Sequence, residues 1–239
     1  MAALAKILWA AHYGTLDEFM SRAVNCGATG VAIRTDNDLT EAIPAVHARG
    51  MQIYGWRWPA AVREDAMAEA DAVVALFGQK LDGYFLDTRR APGVEYDWDQ
   101  PGLEQLADEF CGHITAAAAG KPFGITSHYR AAEAYPDIPW KTLFQYASVL
   151  VPQSYWRSSL GKIGSGQPAA NYIAGIDAWT KAGCKKADIV PMAGELGASS
   201  ADEIRAYVAA AAARHITTLH YYCYDSNVSS AVWSAVAAS

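Results

Sequence analysis

The stretch Leu81-Asp82-Gly83-Tyr84-Phe85-Leu86-Asp87-Thr88-Arg89 reads as one short strand, Gly83–Asp87, apolar along its length and closed by a carboxylate. Its aromatic and aliphatic residues suit a strand covered on both faces, as in a parallel sheet. Upstream, Ala61–Phe77 brings Met67, Ala70, Val73, Val74 and Phe77 onto one helical face, as in a helix packed on a sheet. The same alternation runs through the whole chain. Candidate strands are Lys6–Ala10, Gly30–Arg34, Met51–Trp56, Gly83–Asp87, Pro122–Thr126, Ser148–Tyr155, Asp188–Met192 and Ile216–Tyr222.

The intervening stretches carry helix start and stop signals. Thr15-Leu16-Asp17-Glu18 and Ser200-Ala201-Asp202-Glu203 have the form of capping boxes, and Asp38-Leu39-Thr40-Glu41 is a looser version. Gly27, Gly50, Gly120 and Gly183 stand where helices end and a left-handed residue is wanted. Eight strand–helix units without a Gly/Pro/Ser-rich linker predict one closed domain over residues 1–239, a (β/α)₈ TIM barrel. A doubly wound open sheet is the competing architecture. No GxGxxG or phosphate loop follows any strand, and eight units in 239 residues fit the barrel better.

Composition narrows the function classes. Hydrophobic residues are 52% of the chain and charged residues 18%, enough apolar matter for a sizeable core. The 19 Lys and Arg against 25 Asp and Glu leave a charge of −6 with no basic cluster, so nucleic acid is not the expected partner. No apolar run reaches the roughly 18 residues of a membrane span, so membrane insertion is not expected either. Cys26, Cys111, Cys184 and Cys223 form no CxxC pair and read as buried or half-buried thiols. The apolar stretch Ile7–Ala11 is too short for a secretory signal, which leaves a cytoplasmic chain, one released by lysis or another export route, or one already trimmed. Oligomeric state is left open.

In a barrel of this kind chemistry sits at the C-terminal ends of the strands. Asp87 ends the fourth strand. By parity Gly83, Phe85 and Asp87 face the interior while Tyr84 and Leu86 face the helices. A carboxylate there is costly unless it is paired or functional; Arg89 or Arg90 is a ready structural partner, and catalysis is the alternative.

Asp82-Gly83-Tyr84-Phe85-Leu86-Asp87-Thr88 is similar to the fourth-strand motif of endo-galactosaminidase-type glycoside hydrolase barrels, roughly D-G-hydrophobic-F-L-D-T/N. The resemblance implies a sugar-cleaving barrel in which Asp87 is a catalytic carboxylate. More loosely, the stretch resembles the chitinase-like motif D-G-x-D-x-D-x-E. Asp82, Gly83 and Asp87 match that motif, whereas Phe85 replaces an Asp and Arg89 replaces the acid Glu, so a chitinase-type substrate-assisted mechanism is not expected.

Glycoside hydrolysis normally needs a second carboxyl. Glu195, flanked by Gly194 and Leu196-Gly197 after the seventh strand, is the preferred proton donor, with Asp225 and then Asp36 behind it. Gln153 and Tyr155 share inward parity after the sixth strand, and Pro152-Gln153-x-Tyr155 looks like the sixth-strand segment of sugar-cleaving barrels, where amide and phenol contact substrate. The endo-galactosaminidase-type pattern also places a catalytic Glu in roughly this region. If Gln153 is its equivalent, the chain is a binding barrel without an acid.

The chain has eight tryptophans, and aromatic faces stack on pyranose rings. Trp56, Trp58 and Trp156 are therefore expected sugar contacts, with Trp98, Tyr13 and Tyr129 also near the rim. Arg34 and His12 are placed with them; an ion-pair strut is the competing role for Arg34 and Arg57. His12, His128 and His220 fall near strand ends, but the His-x-His of metal-dependent barrels is absent. No metal or other cofactor is expected. The expected partner is a polysaccharide or oligosaccharide, such as an amino-sugar polymer or cell-wall glycan; the rivals are an inactive sugar-binding barrel and a metal-dependent hydrolase.

Overall fold

The computed structural model describes residues 4–88, 95–157, 166–185 and 189–239. Among them the parallel strands β1 (Ala5–Ala10), β2 (Gly30–Arg34), β3 (Gln52–Arg57), β4 (Gly83–Asp87), β5 (Phe123–His128), β6 (Val149–Gln153), β7 (Met192–Ala193) and β8 (Thr218–Tyr221) close in chain order, with β8 pairing back onto β1. The helices α1 (Leu16–Asn25), α2 (Leu39–His47), α3 (Arg63–Gly78), α4 (Glu104–Ala118), α5 (Trp140–Tyr146), α6 (Pro168–Lys181), α7 (Ala201–Ala212) and α8 (Ser230–Ala237) follow the strands in turn. This is the expected (β/α)₈ barrel. No helix is long and apolar enough to cross a membrane among the described residues.

Strand parity divides the apolar residues as expected. Ile7, Trp9, Ala32, Tyr54, Trp56, Phe85, Val151 and Met192 fill the interior of the barrel. Leu8, Val31, Ile33, Tyr84, Leu86 and Ile125 alternate with them and pack outward against the helices. Bulky rings fit the interior because glycines stand opposite them. A Cβ on Gly124 would lie 2.2 Å from the Phe85 ring, and one on Gly83 would lie 2.8 Å from Tyr54 and 2.7 Å from the Pro122 carbonyl.

Local signals explain the element ends. Ser200 and Glu203 form a complete capping box on α7. Thr15 covers the Glu18 N–H of α1, but the Glu18 carboxylate takes the Thr15 hydroxyl at 2.8 Å instead of reaching back to the backbone. Asp38 caps α2 through the Thr40 N–H. Gly27, Gly50, Gly120 and Gly183 all have positive φ, between 69° and 111°. The largest departure is β7. Of the expected strand Asp188–Met192, Asp188 lies outside the described residues, and only Met192 belongs to the observed strand, which runs on to Ala193. Ile189 makes an isolated bridge to Leu150, and Pro191 has no N–H with which to continue the ladder.

Closure of the ring is reinforced by a buried cation. The Lys6 ammonium of β1 donates to the Val236 and Ala237 carbonyls at the end of α8 (3.0 and 2.9 Å), and to Cys26 at the end of α1. A positive charge is favourable at those carbonyl ends, although burial lowers the Lys6 pKa. Cys26, Cys111 and Cys184 are buried thiols and Cys223 is half-buried.

His220 of β8 is inside the barrel, and its Nδ1 accepts the Trp9 indole N–H at 3.0 Å. Burial drives its pKa down to about 3. The folded value lies below the unfolded one, so as pH falls the unfolded chain takes up this proton first. The stability His220 contributes is full above about pH 6.5 and is lost toward pH 3. Between pH 7.5 and 5.5, urea unfolding of the wild type should lose about 1.4 kcal/mol more than that of His220→Gln, whose amide oxygen still accepts from Trp9. Equal losses in the two proteins would show that His220 is not the source.

Candidate active site

Asp87 is the last residue of β4, buried at the C-terminal mouth of the barrel as parity requires. Its Oδ2 accepts two neutral donors, the Trp58 indole N–H and the Gln153 amide, each at 2.9 Å. The Gln153 amide also reaches the Thr126 hydroxyl at 3.3 Å. The three groups come from the ends of β3, β6 and β5, so closure of the barrel brings them together. Behind Asp87 the Thr88 hydroxyl donates to Ser127 at 2.7 Å, joining β4 to β5. Arg89 and Arg90, the sequence's structural partners for Asp87, lie outside the described residues.

Tyr155 and Tyr222 stack at the same mouth, centroids 5.6 Å apart and planes 17° from parallel. Burial raises the pKa of both phenols, and the charges of Asp87 and Glu195 raise both further. Both carboxylates therefore act on one pair of rings, and both phenols stay protonated at neutral pH. Burial, and then Glu195, push the neighbouring Cys223 thiol up to about 12.

Glu195 is half-buried and leads into a 3-10 turn, Leu196–Ala198, whose Ala198 N–H bonds back to the Glu195 carbonyl. Gly194 before it is obligatory for packing, since a Cβ there would lie 2.2 Å from the Tyr155 ring. Tyr155 is held from behind as well, its carbonyl accepting the Asn171 amide of α6 at 2.8 Å. Of the residues the sequence pointed to, Gln153 bonds Asp87 directly, Tyr155 is close enough to feel its charge, and Glu195 follows Gly194, which packs on the Tyr155 ring. The sequence reading overlooked Tyr222, which inward parity from His220 would have found.

Arg34 and Arg57 form a strut. Arg34 grips both oxygens of Asp36 (2.6 and 2.9 Å), and Arg57 pairs with the same carboxylate at 2.9 Å. Burial pushes the Asp36 pKa up, but the Arg34 hydrogen bond and the two guanidinium charges outweigh it and leave it below the ordinary range. Asp36 is thus held as a structural anion, unsuited to donating a proton. Arg34 also donates to His12 Nε2 at 2.6 Å, so that nitrogen carries the lone pair. The Arg34 guanidinium lies over the Trp58 ring at 5.1 Å, and a cleft of ≈ 70 Å³ opens between Arg34, Asp36, Arg57, Trp58 and Tyr96. Arg34, His12 and Trp58 thus form one side of the mouth.

Three expected contacts are placed elsewhere. Trp56 points inward but one layer below Trp58, fully buried, with its N–H on the Ala10 carbonyl at 3.0 Å. Trp156 is on the outward parity of β6, opposite to Gln153 and Tyr155, and is buried among the helices against Tyr207. Asp225 is exposed in an outer groove with Asp17, Glu18, Arg22 and Trp233, where it accepts the Asn227 N–H. None of the three presents itself to a ligand in the mouth. Trp98 is likewise buried, its N–H on the Pro59 carbonyl. His12, His128 and His220 do not converge: His12 binds Arg34, His128 Nδ1 accepts the Arg130 N–H, and His220 is enclosed in the barrel. Among the described residues no three His, Cys, Asp or Glu are arranged to hold a metal ion.

No protein-family profile matches the chain, and no curated protein matches it in sequence. Solved structures do match in shape. The spore cortex-lytic enzyme SleL of Bacillus cereus superposes with a TM-score of 0.68 at 10% identity, over 98% of this chain and 73% of that one. The glycoside hydrolase domain of PgaB (BpsB) from Bordetella bronchiseptica gives 0.61 at 8% identity, over 94% and 95%. The likeness is one of fold. The CutC copper homeostasis protein of Streptococcus agalactiae also superposes, with a TM-score of 0.56 at 11% identity over 92% of this chain and 99% of that one. A glycoside hydrolase domain and a spore cortex-lytic enzyme are thus among the structural neighbours, and any function must be argued from the mouth itself.

Proposed function

We propose that the chain is a glycoside hydrolase that cleaves a polysaccharide, an amino-sugar polymer or cell-wall glycan. Asp87 is the nucleophile, or the stabiliser of the oxocarbenium-like transition state, and Glu195 is the proton donor. The observation that carries this reading is the setting of Asp87, a buried carboxylate at a strand tip in the barrel mouth, held on one oxygen by two neutral donors. Such donors fix the orientation of the carboxylate, which a nucleophile needs. The charge of Glu195 acts on the same pair of phenols as that of Asp87. The Gln153 amide, Arg34, His12 and the half-buried Trp58 are suited to sugar hydroxyls and ring faces at the mouth, whereas the Tyr155 hydroxyl donates inward to Met192 Sδ at 3.4 Å and is left to accept from a sugar.

One observation favours a second reading, a barrel that holds sugar without cutting it. The side chain directly on Asp87 from β6 is an amide, where a second carboxyl would have supplied an acid. Reducing-end release from chitin, peptidoglycan, partly deacetylated amino-sugar polymers and plain glucans separates the two. Release from one polymer supports the hydrolase. Retention on one polymer with no release supports the binding barrel, and neither result from any polymer overturns both.

A further inference from the structure

The far end of the barrel carries a feature that glycan chemistry leaves unused. A cavity of ≈ 200 Å³ opens at the N-terminal ends of the strands, walled mainly by Ile7, Tyr54, Phe85, Val149, Val190 and His220. The rings of Trp9, Phe85 and His220, 5.0–5.9 Å apart between centroids, form a floor between this cavity and the mouth.

His220 is 2% exposed. An indole N–H can only donate, so the bond from Trp9 makes Nδ1 the acceptor and leaves the ring hydrogen on Nε2. His220 pairs in register with Ile7, and Trp9 is the next inward residue of β1 toward the mouth. Nδ1 therefore faces the mouth, and Nε2, on the opposite side of the ring, faces the cavity. Among the described residues no group accepts from Nε2.

We propose that this cavity is a second binding site, for a compact, neutral, mostly apolar molecule whose single hydrogen-bond acceptor meets the His220 Nε2–H. A ring ketone, lactam or small ester has this chemistry. The volume suits one six-membered ring, since an apolar cavity of about 150 Å³ already admits benzene. An ion is disfavoured because the wall offers no opposite charge to offset its desolvation. Tyr54 does not compete for the acceptor, since its hydroxyl donates to Gln52 at 2.8 Å.

The test is a titration of the ¹⁵N-labelled protein with cyclohexanone and, in parallel, with benzene. Trp9→Phe identifies the indole N–H resonance of Trp9. Cyclohexanone should shift that resonance saturably, bind at least about fivefold more tightly than benzene, and show intermolecular NOEs to the Ile7 and Val149 methyls. Val149→Phe, which fills the cavity, should abolish the shift. A cavity holding only water gives no saturable shift with either probe and overturns the proposal. So does benzene binding as tightly as the ketone, or NOEs to other methyls; the NOEs are read on the wild type and stand even if Val149→Phe fails to fold.

Discussion

Asp87→Asn should lower the rate of glycan release by about a thousandfold or more, some 4 kcal/mol of barrier. The amide oxygen of the new Asn can still accept from the Trp58 indole and the Gln153 amide, which both converge on Oδ2 in the wild type. The variant therefore keeps the shape of the mouth and loses the charge that attacks, or stabilises, the sugar cation. Melting within a few degrees of wild type, together with unchanged retention on the same polymer, would place the loss in chemistry. Undiminished release by this variant would remove Asp87 from the reaction.

The second large effect belongs to Glu195. As a proton donor its replacement by Gln should slow cleavage of the polymer by about 10²–10⁴-fold. A nitrophenyl glycoside leaves without needing a proton, so on that substrate Glu195→Gln should recover most of the wild-type rate of bond breaking. Equal losses on both substrates would show that Glu195 positions the sugar or the Tyr155–Tyr222 pair and gives up no proton. Whether the course is retaining or inverting is read from the anomer first released.

The barrel was legible because its strands obey one simple rule. Each is short and apolar on both faces, and for β2 and β4 the expected ends coincide with the observed ones. The rule weakened at β7, where Pro191 interrupts the ladder and the remaining contacts come from tertiary placement. At the mouth, parity placed Asp87, Gln153 and Tyr155 correctly, since alternation is a backbone property. It could not grade depth. Trp56 shares the inward parity of Trp58 but sits one layer lower, under other rings. Counted on from Gln153 and His220, Trp156 and Asp225 fall on the outward parity, so alternation itself argues against both as contacts in the mouth, and both are found outside the barrel interior. The role of Arg34 depended on a carboxylate two residues away, a distance short enough to suspect from sequence but decided by the fold.

The indoles of Trp9, Trp56 and Trp58 form a column, with centroids 5.7 and 5.0 Å apart along it, from His220 in the barrel up to the Asp87 carboxylate. Each N–H along this column has a fixed acceptor: His220, the Ala10 carbonyl and Asp87 in turn. The carboxylate is consequently not carried by a loop that can fray while the rest stays intact. One of its hydrogen-bond donors, Trp58, packs edge-on against the fully buried Trp56, so the alignment of Asp87 is tied to the ring stack inside the barrel.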